Sequence, residues 1–195
     1  IAFCAKVSNP AAQVNKETSE RLIKYLIKHQ HWSPLEMANA VMEIETTRDI
    51  AHQIVRHRSF AFQEFSQRYA NPAEMGEQFT LRECRLQDTK NRQNSIETDN
   101  DELSRMWAIK QQMVINASKE AYEWAIENGI AKEQARVVLP EGNTKTRLYM
   151  NGTLRSWVHY IELRGANGTQ KEHMDIAHAC AKAITEIFPL TKELL

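Results

Sequence analysis

The residues best equipped for chemistry lie in one stretch, RHRSFAFQEFSQRY, at positions 56–69. Arg56, His57 and Arg58 stand side by side, Arg68 follows just beyond Ser66, and Phe60, Phe62, Phe65 and Tyr69 are interleaved with them. Arginine grips phosphate, carboxylate or a planar imide through paired N–H donors, and its flat face stacks on rings. Several arginines with a serine hydroxyl suit a planar, phosphorylated ligand, a nucleotide. The competing reading is that basic residues near a helix C-terminus favour the helix dipole and point into water. Three features weigh against it. Gln53, Arg56 and His57 share one helical face at i, i+3 and i+4. The run after Ser59 alternates, which predicts an extended segment with Glu64, Ser66 and Arg68 on a polar face. More arginines recur at the ends of other elements, at 136, 147, 155 and 164. Successive helical side chains are about 100° apart, so the triplet must fan out instead of focusing on one small anion.

The elements that position these residues follow from periodicity and end signals. Leu22/Leu26 and Ile23/Ile27 predict a helix from about Thr18 to Lys28. SPLE at 33–36 predicts a short helix, with Ser33 as cap, Pro34 in its first position and Glu36 closing a capping box. Residues 41–46 read as a strand, and Thr47 as the cap of a helix ending near 56–58. A further strand is expected at 79–85, and a polar loop over 87–101. A long helix is predicted over 101–128, with Leu103, Trp107, Val114, Ala117, Ala121 and Trp124 along its apolar stripe and its aromatics, Tyr122 included, in the core. A short helix reaches Val138 and stops at Pro140. TRLYM reads as a strand, 153–164 as a helix, and TQKE at 169–172 as a second capping box opening a last helix to about Phe188. The sum is a helix-rich α+β single domain over 1–195 with a small, mainly antiparallel sheet.

Composition narrows the function. The chain has 195 residues, 42% hydrophobic and 26% charged, ordinary for a soluble globular domain with a real core. Its 25 basic and 25 acidic residues cancel, which disfavours general nucleic-acid binding. No apolar run reaches the ~20 residues of a membrane span, and no signal peptide is visible, so a cytoplasmic setting is expected, or a host-cell cytoplasm if the source is viral. Cys4, Cys84 and Cys180 show no paired spacing, which fits a reducing compartment. The chain opens at Ile1, which predicts further sequence before it.

The pattern R-H-R-x7-S, from Arg56 to Ser66, resembles that of the flavin-dependent thymidylate synthases. AKVS (5–8), HWSPLE (31–36), QRY (67–69), ARVVLP (135–140) and GTLRSWVHYIELR (152–164) resemble family segments in the right order, so the likeness runs from about Ile1 to Phe188. Position 67 is Gln where several relatives have Gly. The resemblance implies a homotetramer with FAD bound where subunits meet. It implies conversion of dUMP to dTMP, with methylenetetrahydrofolate giving the one-carbon unit, NADPH the reducing equivalents, and no enzyme nucleophile on uracil. Gln53, Arg56 and Arg164 would reach dUMP from one subunit. Glu64, Phe65, Ser66, Gln67, Arg68 and Arg136 would hold it from another, with Arg68 and Arg136 on the phosphate. Arg164 and Ser66 are the residues on which the reaction is expected to depend, Arg164 lying against the uracil. For FAD the resemblance implies Ser8, His31, Ser33, Arg56, His57 and Arg58, together with Glu64, Thr153, Arg155 and His159.

Other readings are weaker. His29/His31 has a possible metal-ligand spacing, but no C-x-x-C or H-E-x-x-H is present, and no metal is expected. Ser66 lacks the G-x-S-x-G setting of a hydrolase nucleophile. None of the three cysteines has basic neighbours that would activate a thiol. The rival from another class is a nonenzymatic RNA- or nucleotide-binding module, with Phe60, Phe62 and Tyr69 stacking bases and the arginines on phosphates.

Overall fold

The computed structural model describes residues 1–189, and they form a helix-rich α+β arrangement with a small antiparallel sheet, as expected. The helices are α1 (Ala2–Ala5), α2 (Pro10–Gln13), α3 (Ser19–Lys28), α4 (Arg48–Ile54), α5 (Asp101–Glu127), α6 (Lys132–Ala135), α7 (Leu154–Arg164) and α8 (Lys171–Ile187). The strands are β1 (Asn39–Thr47), β2 (Ala61–Glu64), β3 (Arg85–Gln87), β4 (Ser95–Glu97) and β5 (Lys145–Thr153). Three of them form a sheet in the order β1-β5-β2, and β3 pairs antiparallel with β4. Residues 1–42, 57–62 and 150–189 form one compact unit; residues 43–56 and 63–149 form a second.

In the first unit α7 and α8 pack together. Trp157, Val158 and Tyr160 of α7 and His173, Ala177 and Ile184 of α8 are buried, all but Tyr160 completely. The Thr153 hydroxyl caps α7 by accepting from the Ser156 N–H at 3.2 Å. The helix start is anchored where the Leu154 N–H donates to the Ala38 carbonyl at 2.8 Å, and Trp157 Nε1 donates to the Ala40 carbonyl at 3.1 Å. Gly165, just past α7, permits a close approach. A Cβ there would lie 2.8 Å from the Ile161 carbonyl and 3.1 Å from His178 Nε2 of α8.

In the second unit Tyr122, Ala125, Ala135 and Leu139 form a buried cluster, with Phe79 and Ile126 packed against it. Beside it runs a polar network. Arg82 donates to Asp49 at 2.8 Å and to the Gly142 carbonyl at 3.1 Å, while the Gln111 amide spans the Arg82 backbone N–H and carbonyl. The Gln111 amide and the Arg82 guanidinium are thereby given partners, which keeps their burial from costing stability.

Several local expectations fail for identifiable reasons. Ser33 caps nothing: Ser33–Met37 is a 3₁₀ turn with Trp32 at its N-cap, and Glu36 pairs with Arg155 instead of closing a box. TQKE forms no box either, because α8 starts after Gln170 with no side-chain cap, and the Thr169 hydroxyl donates to the Leu163 carbonyl. Thr47 precedes α4, but its hydroxyl donates to Asp49. The strand expected at 79–85 begins only at Arg85, as β3; residues 79–84 hold a bridge between Phe79 and Thr144, because Arg82 and Thr80 bond into the polar network. The polar stretch at 87–101, read as a loop, carries β4 of a small hairpin. The largest miss is the face of α5. Gln111, Ile115, Ser118, Tyr122 and Ala125 are buried, whereas Leu103, Trp107, Val114 and Trp124 are 41%, 44%, 52% and 60% exposed. Gln111 completes the Arg82 network and the small Ser118 and Ala125 allow close packing, so the richer apolar stripe is left outside.

Candidate active site

The second unit presents the turn after β2. The Phe65 N–H donates to the Arg147 carbonyl at 2.9 Å, and the Ser66 carbonyl accepts from Tyr69 and Ala70, both at 3.1 Å. The intervening N–H groups of Ser66, Gln67 and Arg68 have no acceptor among the described residues, and neither does the Ser66 hydroxyl. Gln67 is 5% exposed and its Nε2 is buried without a partner. Successive unpaired backbone N–H groups make a concave anion-binding surface. Two arginines expected on a phosphate meet at one residue here. Arg68 lies 3.6 Å from the Glu133 carboxylate, and Arg136 Nε donates to the Glu133 carbonyl at 3.3 Å. The Arg68–Glu133 pair is more than half exposed, so it stabilises little and can yield to a more highly charged anion. Lys132, which sequence reasoning missed, ties the turn down by donating to the Tyr69 carbonyl at 2.9 Å.

Glu64 is held from behind. Its Oε1 accepts from Arg48 at 2.6 Å and from the Thr146 hydroxyl at 2.9 Å, both sequence-silent partners. Gln53 is near the end of α4, which stops at Ile54, short of the 56–58 expected, and Arg56 lies just past its C-cap Val55 with no acidic partner among the described residues.

In the first unit the Ser33–Met37 turn is docked on α7 by the Arg155–Glu36 pair and by Trp32 packed edge-on against His159, ring centres 5.3 Å apart. That gathers His31, Ser33, Arg155 and His159 on one surface, while Ser8 is exposed just past α1, which packs on the same turn. The Thr153 hydroxyl is spent as the α7 cap. Arg58 is exposed and unpaired among the described residues. This donor set of the first unit, with cationic, imidazole and hydroxyl groups and the Arg58 guanidinium, fits an anionic dinucleotide cofactor.

Deeper in the same unit lies a cluster that sequence did not reveal. Arg164 Nε donates to His57 Nε2 at 2.9 Å, His57 packs edge-on against Tyr160 with centres 4.9 Å apart, and the Tyr160 hydroxyl meets His173 Nε2 at 3.1 Å. Burial and then the Arg164 charge push His57 below the ordinary histidine range. Burial, then Arg164, then His57 push His173 down to about 4. Burial raises the Tyr160 phenol and pushes the Cys180 thiol up to about 12. Arg164 is therefore the only charge in the cluster at neutral pH. Cys4, Cys84 and Cys180 are all free.

An acid-stability prediction follows from His173. Its folded pKa lies below its unfolded value, so the unfolded chain binds the proton more readily. Its contribution is complete above pH 6.5 and is lost as pH falls toward about 4. The loss should reach about 3 kcal/mol, taking ~1.4 kcal/mol per unit. Denaturant melts at pH 7 and pH 4.5 should show the drop, and His173→Gln should flatten it; an unchanged slope counts against the assignment.

Among the described residues no group of three or more His, Cys, Asp or Glu could hold a metal ion, and no helix is long and apolar enough to cross a membrane. The fold is helix-rich α+β, and the residues described above offer guanidinium, imidazole and backbone N–H donors of the kind that suit an anionic ligand. The sequence matches the thymidylate synthase complementing protein family over residues 1–190. It is 50% identical to a probable flavin-dependent thymidylate synthase of Paramecium bursaria Chlorella virus 1, over 97% of this chain and 86% of that protein. It is 47% identical to a flavin-dependent thymidylate synthase of Synechocystis, over 97% and 85%. A UMP/dUMP methylase from Streptomyces cacaoi, solved with 5-Br dUMP, shares the fold with a TM-score of 0.85 and 24% identity, covering 99% of this chain and 87% of that one. The chain belongs to the flavin-dependent thymidylate synthase family, and it is an enzyme of the methyltransferase kind.

Proposed function

We propose that this protein methylates dUMP reductively to dTMP, with methylenetetrahydrofolate as one-carbon donor, NADPH as reductant and FAD as cofactor. The observation that carries the reading is the Ser66–Arg68 turn: three free backbone N–H groups, a free hydroxyl and a buried unpaired amide, beside Arg68 and Arg136. Such a turn is costly to leave empty and is satisfied by the phosphate and polar edge of a nucleotide. When bound, the flavin supplies the hydride for the uracil ring and the relay for the one-carbon unit.

The chain's own residues have distinct tasks. Arg68 and Arg136 neutralise the phosphate, and the Ser66–Arg68 amides and Gln67 fix its position. Glu64, Phe65, Gln53 and Arg56 complete the dUMP contacts. Arg164 presents a guanidinium to the uracil, where it stabilises developing negative charge. Ser8, His31, Ser33, His57, Arg58, Arg155 and His159, with Arg56, Glu64 and Thr153, hold the cofactor. In this reading no thiol attacks uracil, and Cys180 is unfit to do so, being buried with its thiol held protonated.

The reading is tested by tritium release from labelled dUMP. Release and dTMP formation should both require flavin and NADPH, and full synthesis by flavin-free protein, or a colourless preparation that binds RNA instead, overturns it. Ser66→Ala should keep measurable, NADPH-dependent synthesis with dUMP binding weaker by roughly ten- to thirtyfold, the cost of one hydrogen bond. Complete inactivity of a folded, flavin-loaded Ser66→Ala with a uracil adduct on the parent Ser66 would establish a covalent role instead.

The active unit of this reading is a homotetramer with sites at subunit junctions. The exposed stripe of α5, with Leu103, Trp107, Val114 and Trp124, supports it, because isolated subunits seldom leave so many large apolar side chains in water. Sedimentation of the active enzyme should give four protomers, and a fully active monomer rules this out.

A further inference from the structure

Arg164 is the last residue of α7, half-buried, and it has no carboxylate partner among the described residues. Its one hydrogen bond runs from Nε to His57 Nε2 at 2.9 Å. An arginine normally meets an acid when it is buried, because an unpaired charge costs a great deal there. Here a neutral imidazole takes the place of the acid. That choice leaves the positive charge intact.

The chemistry of the contact fixes more than a distance. Arginine is a donor only. His57 Nε2 must therefore be the unprotonated ring nitrogen, and its proton must sit on Nδ1. Protonating His57 would set donor against donor and place a second cation beside Arg164, and burial already opposes it. Because Nε lies in the guanidinium plane, anchoring it fixes that plane while leaving the four N–H bonds on Nη1 and Nη2 for a ligand. The imidazole cannot easily swing away. Its ring stands edge-on to Tyr160, which is 1% exposed, and Tyr160 is held in turn by His173, which is fully buried, through the 3.1 Å contact. Phe60 closes the cluster, its ring centre 5.9 Å from that of Tyr160.

We propose that His57 is a positioning residue for Arg164: locked as its neutral Nδ1–H tautomer and backed by Tyr160 and His173, it sets the guanidinium plane while leaving its charge uncompensated for the substrate ring. This rests on the reading of Arg164 as the residue facing uracil. His57 then acts on the reaction through Arg164, beyond any contact its Nδ1–H makes with cofactor.

The test uses flavin-loaded enzyme with two kinds of readout. Gln can place an acceptor near the position of Nε2, whereas Leu cannot. His57→Leu should lose roughly ten- to a hundredfold in kcat, as for a lost hydrogen bond to a charged group, and His57→Gln should recover most of that loss. In the double variant, His57→Leu should add little to Arg164→Ala, because both remove one function. Losses that multiply, or a His57→Gln as damaged as His57→Leu, overturn the proposal. The second readout is independent of turnover. Nitrogen-15 spectra of histidine-labelled enzyme at neutral pH should show His57 with Nδ1 protonated and Nε2 bare, and a protonated Nε2 overturns the geometry. If Arg164→Ala is fully active while His57 still shows the Nδ1–H tautomer, the assignment of Arg164 to uracil fails, and not the contact between the two side chains.

Discussion

Arg164→Ala should abolish nearly all dTMP synthesis while leaving flavin bound. The expected loss in kcat is about a hundredfold or more, the usual cost of removing a group that stabilises charge developing in the transition state. The structure supplies the reasons to expect a loss this large. The guanidinium spends one donor on His57 and meets no acid among the described residues, so its charge remains available to a ligand. Removing it should not unfold the subunit, because Arg164 ends α7 while the buried Trp157, Val158 and Tyr160 carry the packing of that helix. Steady-state kinetics with visible absorbance of the bound flavin separates the alternatives. Loss of flavin together with activity would point to a cofactor role, and a loss below about threefold would remove Arg164 from the chemistry. Arg164→Lys should recover little, since a point charge lacks the planar fork that Nε anchoring orients.

What the sequence revealed depended on how local its causes were. The helix from Ser19, the strand at 39–47, and α7 and α8 rest on periodicity and on residues that cannot continue an element, and they are where reading placed them within a residue or two, whereas β5 runs three residues past the expected TRLYM. The capping box at Ser33 failed because a distant residue competed for the same side chain, Arg155 claiming Glu36 119 positions away, and the one at Thr169 because its hydroxyl donates to the Leu163 carbonyl six residues back. The α5 face was misread because burial there is decided by Arg82 and Asn143, which need the Gln111 amide, and not by the hydropathy of the helix itself. The same division runs through the site. Arg68 and Arg136 were named from sequence, and their meeting at Glu133 is a fact of tertiary structure. Arg48, Thr146, Tyr160 and His173 could not have been singled out, since nothing in their neighbourhoods says that they stand behind Glu64 and His57. The arginines stand out in the sequence by their spacing, and their expected roles come from the family resemblance. The residues that hold them in place look like ordinary core.

Gly152→Ala should lower stability by about 1–3 kcal/mol, the usual cost of forcing extra volume into a packed interior. Gly152 is a buried residue near the end of β5, and a Cβ there would lie 2.4 Å from both Cδ1 and Cε1 of Phe60. No real pair of carbons tolerates that separation, so the ring must move. It has little room. Its centre is 4.8 Å from that of Trp157, 5.9 Å from Tyr160 and 6.2 Å from Phe62, and Trp157 is fully buried. The strain is therefore passed to the backbone that carries Phe60. The Phe60 N–H donates to the His57 carbonyl at 3.3 Å, and the next carbonyl back, that of Ser59, accepts from the Ser156 hydroxyl at 3.4 Å. A shifted Phe60 thus disturbs the turn from which His57 reaches Arg164. For a chain of this size the midpoint of thermal unfolding should fall by roughly 3–10 °C. The kcat should fall as well, more than KM for dUMP, because the guanidinium loses its fixed plane while the phosphate turn of the second unit keeps its own contacts. Shortening the ring should relieve the clash: in a Phe60→Leu background the same Gly152→Ala change should cost less than half as much, a coupling that appears only between residues in contact. Equal cost in the two backgrounds, measured by thermal or denaturant unfolding, would show that Phe60 is not the residue Gly152 makes room for.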